Sequence, residues 1–205
     1  MEKNLAKVFS VLFHPLLMTS LGLFILFNSG TSLAVVQPEV KRISMIVVFL
    51  FTCIFPLGMI IMLYLSKMIQ DLELSAKHER VLPIALTIIL LLFTFFVIRG
   101  IPQLEKGHTA FLLSPAMGML LILIVNRYMK PSVHMLGLGG VLGMMLIIMV
   151  FFRAQLQLLF VLVILAAGLT GSARLILKLH TPKELLVGFL MGFLTTGVIM
   201  IIFLV

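Results

Sequence analysis

The sequence predicts an all-α, polytopic transmembrane bundle of six or seven spanning helices, and three observations carry that expectation. First, of 205 residues 62% are hydrophobic and only 11% charged, against about half and about a quarter in an ordinary soluble domain, so no water-solvated fold of this size would hide the apolar surface. Second, the apolar residues fall into runs of roughly 18 or more with almost no charge, the length a helix needs to cross about 30 Å of hydrocarbon. Third, lipid offers no partner to a free backbone N–H or C=O, which leaves the helix as the default spanning element. The chain, residues 1–205, reads as a single integral membrane domain whose motif-bearing core falls at about 67–192.

The first run opens on MEKNLAKVFSVLF, which has the basic flank of a signal peptide. Its apolar stretch continues to about Phe27 without a small-x-small cleavage site, so it is read as a retained first helix. Spans are predicted at roughly 8–28, 43–66, 81–98, 109–126, 134–152, 155–173 and 183–205, or six of these if one segment is re-entrant. The segments between them (NSGTSLAVVQPEVKR, SKMIQDLELSAKHER, RGIPQLEKGH, NRYMKPS and LKLHTPKE) carry turn formers, charge or both. Prolines at 15, 56, 83 and 115 mark kinks or helix starts. Gly139 with Gly143, and Gly188 with Gly192, have the spacing that lets membrane helices approach closely. Cys53 has no partner cysteine, so no internal disulfide forms.

The formal charge of +8 is spread over the short connections and forms no single basic stripe, so membrane lipids and not nucleic acid are the expected partners. If all seven segments cross, the connections at 67–80, 127–133 and 174–182 share one side with the N-terminus. That side holds 10 of the 15 Lys and Arg, the bias of a cytoplasmic face. His14, His78 and His108 read as interfacial residues near helix ends, and Arg127, Lys130, Lys178 and Lys183 as anchors that snorkel to the headgroups.

The same three connections contain nearly every residue with chemical potential. In the third, His180 follows Arg174 after five residues and Glu184 follows four later, on one face of a helix. A carboxylate one turn away takes the proton of one imidazole nitrogen and leaves the other free as a nucleophile or base. Arg174 offers a planar fork of donors suited to phosphate oxygens. In the second, Ser132 and His134 stand at the start of a helix, where free backbone N–H groups favour an anion. In the first, Lys77 and Arg80 are spaced to face one point.

Together these residues resemble the type 2 phosphatidic acid phosphatase superfamily, whose motifs run Lys-x6-Arg-Pro, Pro-Ser-Gly-His and Ser-Arg-x5-His-x3-Asp. The third is matched by Arg174, His180 and the acid Glu184, and the second by Pro131, Ser132 and His134. Glu73 occupies the lysine position of the first motif, so Lys77 stands in for it beside Arg80; Val133 replaces the glycine of the second, and Ala173 the serine of the third. The resemblance implies a metal-independent lipid phosphatase with no cofactor, acting on a phosphomonoester or diphosphate of a hydrophobic carrier such as phosphatidate, phosphatidylglycerol phosphate or an isoprenyl diphosphate. It gives His180 the role of nucleophile, Glu184 that of its orienting acid and His134 that of proton donor, with Lys77, Arg80, Ser132 and Arg174 on the phosphate oxygens. Two other classes are weighed beside it. One is a silent protein that binds a phosphorylated lipid, which Val133 and the missing lysine favour. The other is a small transporter, which an inverted repeat would support and which this sequence lacks.

Overall fold

The structure, a computed structural model, describes residues 2–74 and 76–204 and is built of helices, with no strand among the described residues. Six helical stretches are long and apolar enough to cross a membrane: Pro38–Leu65, α5 (Val81–Arg99), α6 (Lys106–Val125), α7 (Val133–Phe151), α8 (Gln157–Ile176) and α9 (Pro182–Leu204). A seventh is a bent pair, α1 (Glu2–Leu12) and α2 (Pro15–Phe27), broken by 52° at Phe13 and His14. The residue before a proline is pushed out of the helical region, and His14 accordingly takes φ −65° and ψ 137° and caps α2, its Nδ1 accepting from the N–H of Leu16. The expected single helix of roughly 8–28 is therefore two helices that begin six residues earlier, at Glu2.

The long stretch Pro38–Leu65 consists of α3 (Pro38–Phe49), a π-helical turn at Leu50–Ile54 and α4 (Phe55–Leu65), whose second residue is Pro56. Proline cannot supply the N–H for the ordinary ladder, and the widened turn directly precedes it. Two of the helices that end without glycine end on lysine. Lys67 and Lys178, at φ 58° and 56°, take the left-handed conformation after α4 and α8. Each closes a paired hydrogen-bond pattern, Met68 N to Leu63 O with Lys67 N to Tyr64 O, and Leu179 N to Arg174 O with Lys178 N to Leu175 O. The second of these turns the chain back over the bundle at His180.

α7 is the centre of the bundle, buried over 67% of its span against 28% for α9. It packs most extensively on α9 and also on α2 and α8, while α5 packs on α6, α6 on α9 and α1 on α8. Lipid is as apolar as leucine, so close backbone approach rather than water exclusion drives this contact. A Cβ at Gly192 would strike the carbonyl of Leu136, one at Gly139 that of Phe189, and one at Gly188 that of Ser132. The glycines expected to be packing residues form this seam.

Candidate functional site

The three connections that parity assigns to one side meet in the structure through direct bonds. Asn126 Nδ2 donates to the carbonyl of Lys77 at 2.9 Å, Lys77 Nζ to that of Tyr128 at 3.1 Å, and the N–H of Ser132 to the carbonyl of Glu184 at 3.1 Å. Beneath them lies a chamber of about 470 Å³ between α2, α5, α6, α7 and α9. Its mouth is charged: Lys7, His14, Glu73, Arg80, Lys130, His134, Arg174 and His180 line it. Deeper in, the lining turns to aliphatic, aromatic, glycine and hydroxyl residues of the helices.

His180 stands just ahead of α9 and not on it. Thr181 caps that helix: its Oγ1 accepts from the N–H of Glu184 at 3.4 Å, while Glu184 Oε2 accepts from the N–H of Thr181 at 2.9 Å, with Pro182 in the first turn. This reciprocal cap fixes the approach of His180, whose side chain is only 4% exposed. The ring Nδ1 donates to the carbonyl of Lys130 at 3.2 Å, which leaves Nε2 with its lone pair. Glu184 Oε2 lies 3.6 Å from the same Nδ1, too far for a hydrogen bond, and Glu184 Oε1 instead accepts from the N–H of Lys130 at 3.2 Å. The expected Glu184–His180 hydrogen bond on a shared helix face is thus replaced by a carbonyl, because the helix starts two residues after the histidine. Glu184 acts on the ring through its charge and by holding Lys130.

Burial pushes the basicity of His180 down to about 4, with Arg174, Lys130 and Arg80 pushing the same way and Glu184 opposing. Arg80 is lowered to about 10 by burial, against the pull of Glu184, and Lys130 is lowered by burial and then by Arg80. Near neutral pH the site therefore sets an uncharged imidazole among fixed cations.

Arg174, 3% exposed at the end of α8, gives one donor to Glu73, Nη2 to Oε2 at 2.7 Å, while its Nε and Nη1 are buried without a partner. Two orphaned guanidinium donors beside a chamber are what an anion would satisfy. Arg80 donates Nη2 to the carbonyl of Pro131 at 3.1 Å and Nη1 to Asn126 Oδ1 at 3.4 Å, so it braces the second connection as well as facing the chamber. His134, 8% exposed, engages the carbonyl of Ser10 through Nε2 at 3.2 Å, and its ring meets that of His14 edge-on with centroids 5.3 Å apart.

Two expected phosphate ligands are placed elsewhere. Lys77 is exposed and spends its ammonium on the carbonyl of Tyr128, holding the first connection to the second. Ser132 is fully buried outside the chamber lining, its hydroxyl without a partner, with its backbone pressed against Gly188. Three residues that the sequence did not single out for the site join it. Lys130, read as a surface anchor, and His14, read as interfacial, line the mouth, and Glu73 reaches Arg174 across 101 residues of sequence. His108, also read as interfacial, is 0% exposed near the start of α6, with Nε2 on the carbonyl of Leu33 at 2.8 Å.

The sequence could have signalled His14, since a histidine directly before a proline interrupts an apolar run. Glu73 was marked by its place at the lysine position of the first motif, but its partner is fixed only by the fold. Comparison of the chain with protein-family models, with curated proteins and with solved structures finds no match.

Proposed function

We propose that this integral membrane protein is a metal-independent lipid phosphatase, hydrolysing a phosphomonoester or diphosphate on a hydrophobic carrier through a phosphohistidine. The observation that carries the reading is His180: an imidazole with Nδ1 tied to a carbonyl and Nε2 free, beside Arg80, Lys130 and Arg174 at the mouth of a chamber that continues among apolar helices. The phosphorylated end of an amphiphile fits the mouth and its hydrocarbon fits the interior.

In the proposed first step His180 Nε2 attacks phosphorus, the N–P bond forms, and the P–O bond to the carrier breaks. The departing oxygen takes a proton from the imidazole pair His134 and His14, which enters the step holding one proton beyond its two neutral rings. Arg174 and Arg80 draw negative charge off the equatorial oxygens, which supplies the electrostatic part of the rate. In the second step water gives its proton back to that pair and attacks phosphorus, the N–P bond breaks, and phosphate leaves with His180 neutral. The positive charge near the reaction favours a cytoplasmic face for this end.

The ion pair between Glu73 and Arg174 favours a second reading, a protein that binds phosphorylated lipid without turning it over, because a carboxylate already occupies one phosphate donor. Phosphate release by purified protein from a panel of lipid phosphates, with chelator present, separates the two. Release is expected from wild type and is abolished in His180→Ala, while lipid-phosphate binding persists. His134→Ala lowers release by about 10²–10⁴-fold and least for substrates with good leaving groups. No release from any lipid phosphate, with binding intact, establishes the silent reading; release that requires an added metal ion removes the histidine mechanism.

A further inference from the structure

A headgroup needs only the mouth of the chamber, yet the space beneath it continues into the bundle. On α5 the lining runs from Arg80 at the rim through Thr87 to Leu91, and at about 1.5 Å per residue those eleven steps span ~16 Å. On α6, which runs the opposite way, the lining extends down to Phe111. From Val125 at the near end of α6 to Phe111 is fourteen steps or ~21 Å, so the lining reaches through one half to about two thirds of the ~30 Å hydrocarbon thickness.

The floor is firm. Phe111 is 2% exposed and seated on Gly22, where even a Cβ would collide with the ring. The walls are less polar than their residue types suggest. Thr87 Oγ1 donates to the carbonyl of Pro83 at 2.7 Å and Ser114 Oγ to that of Ala110 at 2.8 Å, so both hydroxyls turn back onto their own helices. A site of about 470 Å³ is in the lower half of the range of about 300–1,000 Å³ that holds one ligand of moderate size. A second chain of the same length would double the requirement.

We infer that the chamber is a binding site for one hydrocarbon chain of about 16–21 Å, so that the ligand is a single-chain amphiphile with an anionic phosphorus head, linear or isoprenoid, drawn head-outward into the bundle. A two-chain phospholipid leaves at least one chain outside. The inference takes its headgroup from the proposed function, but the chain site is testable without turnover.

The chain contains no tryptophan, so one tryptophan placed in the chamber is a unique fluorophore. Thr87→Trp and Ser114→Trp report from the chamber wall, and Ile89→Trp, at a side chain 61% exposed on the outside of α5, reports from the lipid. Each variant is reconstituted in unlabelled phospholipid vesicles and titrated with alkyl- and isoprenylphosphonates brominated at the chain end, in a ladder of lengths; phosphonates are not hydrolysed. The expected result is saturable loss of most of the fluorescence at Thr87→Trp or Ser114→Trp at mole fractions that barely quench Ile89→Trp, with an optimum chain length. Brominated two-chain phospholipid is expected to do the opposite.

Equal quenching at inner and outer positions overturns the inference, as does quenching of the chamber tryptophans by two-chain lipid. Should the tryptophan variants fail to fold, melting of wild type with the unbrominated ladder decides. Stabilisation that rises with length to an optimum supports the chamber, and stabilisation equal to that by methylphosphonate removes it. Saturable quenching without lipid-phosphate hydrolysis removes the enzyme and keeps the chain site. Hydrolysis with unquenched chamber tryptophans does the reverse.

Discussion

The seam between α7 and α9 and the space between α5, α6 and α2 are built on opposite plans. In the seam, glycines let two backbones touch, and the carbonyls of Ser132, Leu136 and Phe189 fill the positions side chains would otherwise take. Around the chamber, threonine, leucine and methionine keep the helices apart and leave a volume unfilled. The difference teaches where this protein needs rigidity. The seam ends at Ser132 and Glu184, whose backbones are bonded to each other, and these fix Lys130 and through it His180. The chamber ends in the same residues from the other side, so a packed wall holds the chemistry and an unpacked one leaves room for a ligand.

The largest expected effect breaks the seam. Gly192→Leu forces a side chain into the Leu136 carbonyl, and should destabilise the protein by more than about 3 kcal/mol, because backbone cannot move aside as a side chain can. Gly168→Leu, where a Cβ meets open space, should stay within about 0.5 kcal/mol. Unfolding in mixed micelles measures both; equal losses would mean that the seam is no tighter than the lipid-facing surface.

The next effect is acid sensitivity. His180 is held at about 4 in the folded protein against 6.5 for the unperturbed group, so between those values the unfolded chain binds the extra proton. Stability should fall as pH drops from about 6.5 towards 4, and proposed turnover, which needs the neutral ring, should persist at pH 5 and vanish below about 4. His180→Asn should remove its share of the stability part of that profile. A variant that keeps the full slope would place the responsible group elsewhere.

The smallest effect concerns the rim. Glu73→Gln removes the charge that Arg174 now faces, and affinity for inorganic phosphate or vanadate should rise about fivefold, roughly 1 kcal/mol. Weaker anion binding would instead make Glu73 the residue that positions Arg174, sharpening the boundary between wall and mouth.

The sequence carried most of the fold because each crossing helix is a run of apolar residues bounded by charge, and those boundaries recur within a few residues in α5 to α9. The break at His14 was also readable, since proline at 15 expels its predecessor from the helix. The Lys67 and Lys178 terminators were not, because lysine is an uncommon choice for a left-handed position. At the site, motif spacing brought Arg80, His134, Arg174 and His180 to one chamber. Lys77, whose ammonium holds the second connection, and Ser132, buried against α9, lie outside the chamber lining, while Lys130 was read as an anchor and Glu73 only as a departure from the first motif. Spacing along the chain orders residues within one element; it does not say which connection folds over which.

The gathering of three connections at one end of the bundle has a further consequence. Charged residues gathered at one end of the chamber would take their headgroups from the leaflet at that end. On the proposed reading, every turnover removes a charged headgroup from that leaflet alone and leaves a less polar alcohol or monophosphate there, while its phosphate escapes to the adjoining water. The reaction would therefore create a compositional gradient across the membrane, and its steady rate would depend on how fast lipid crosses from the other side.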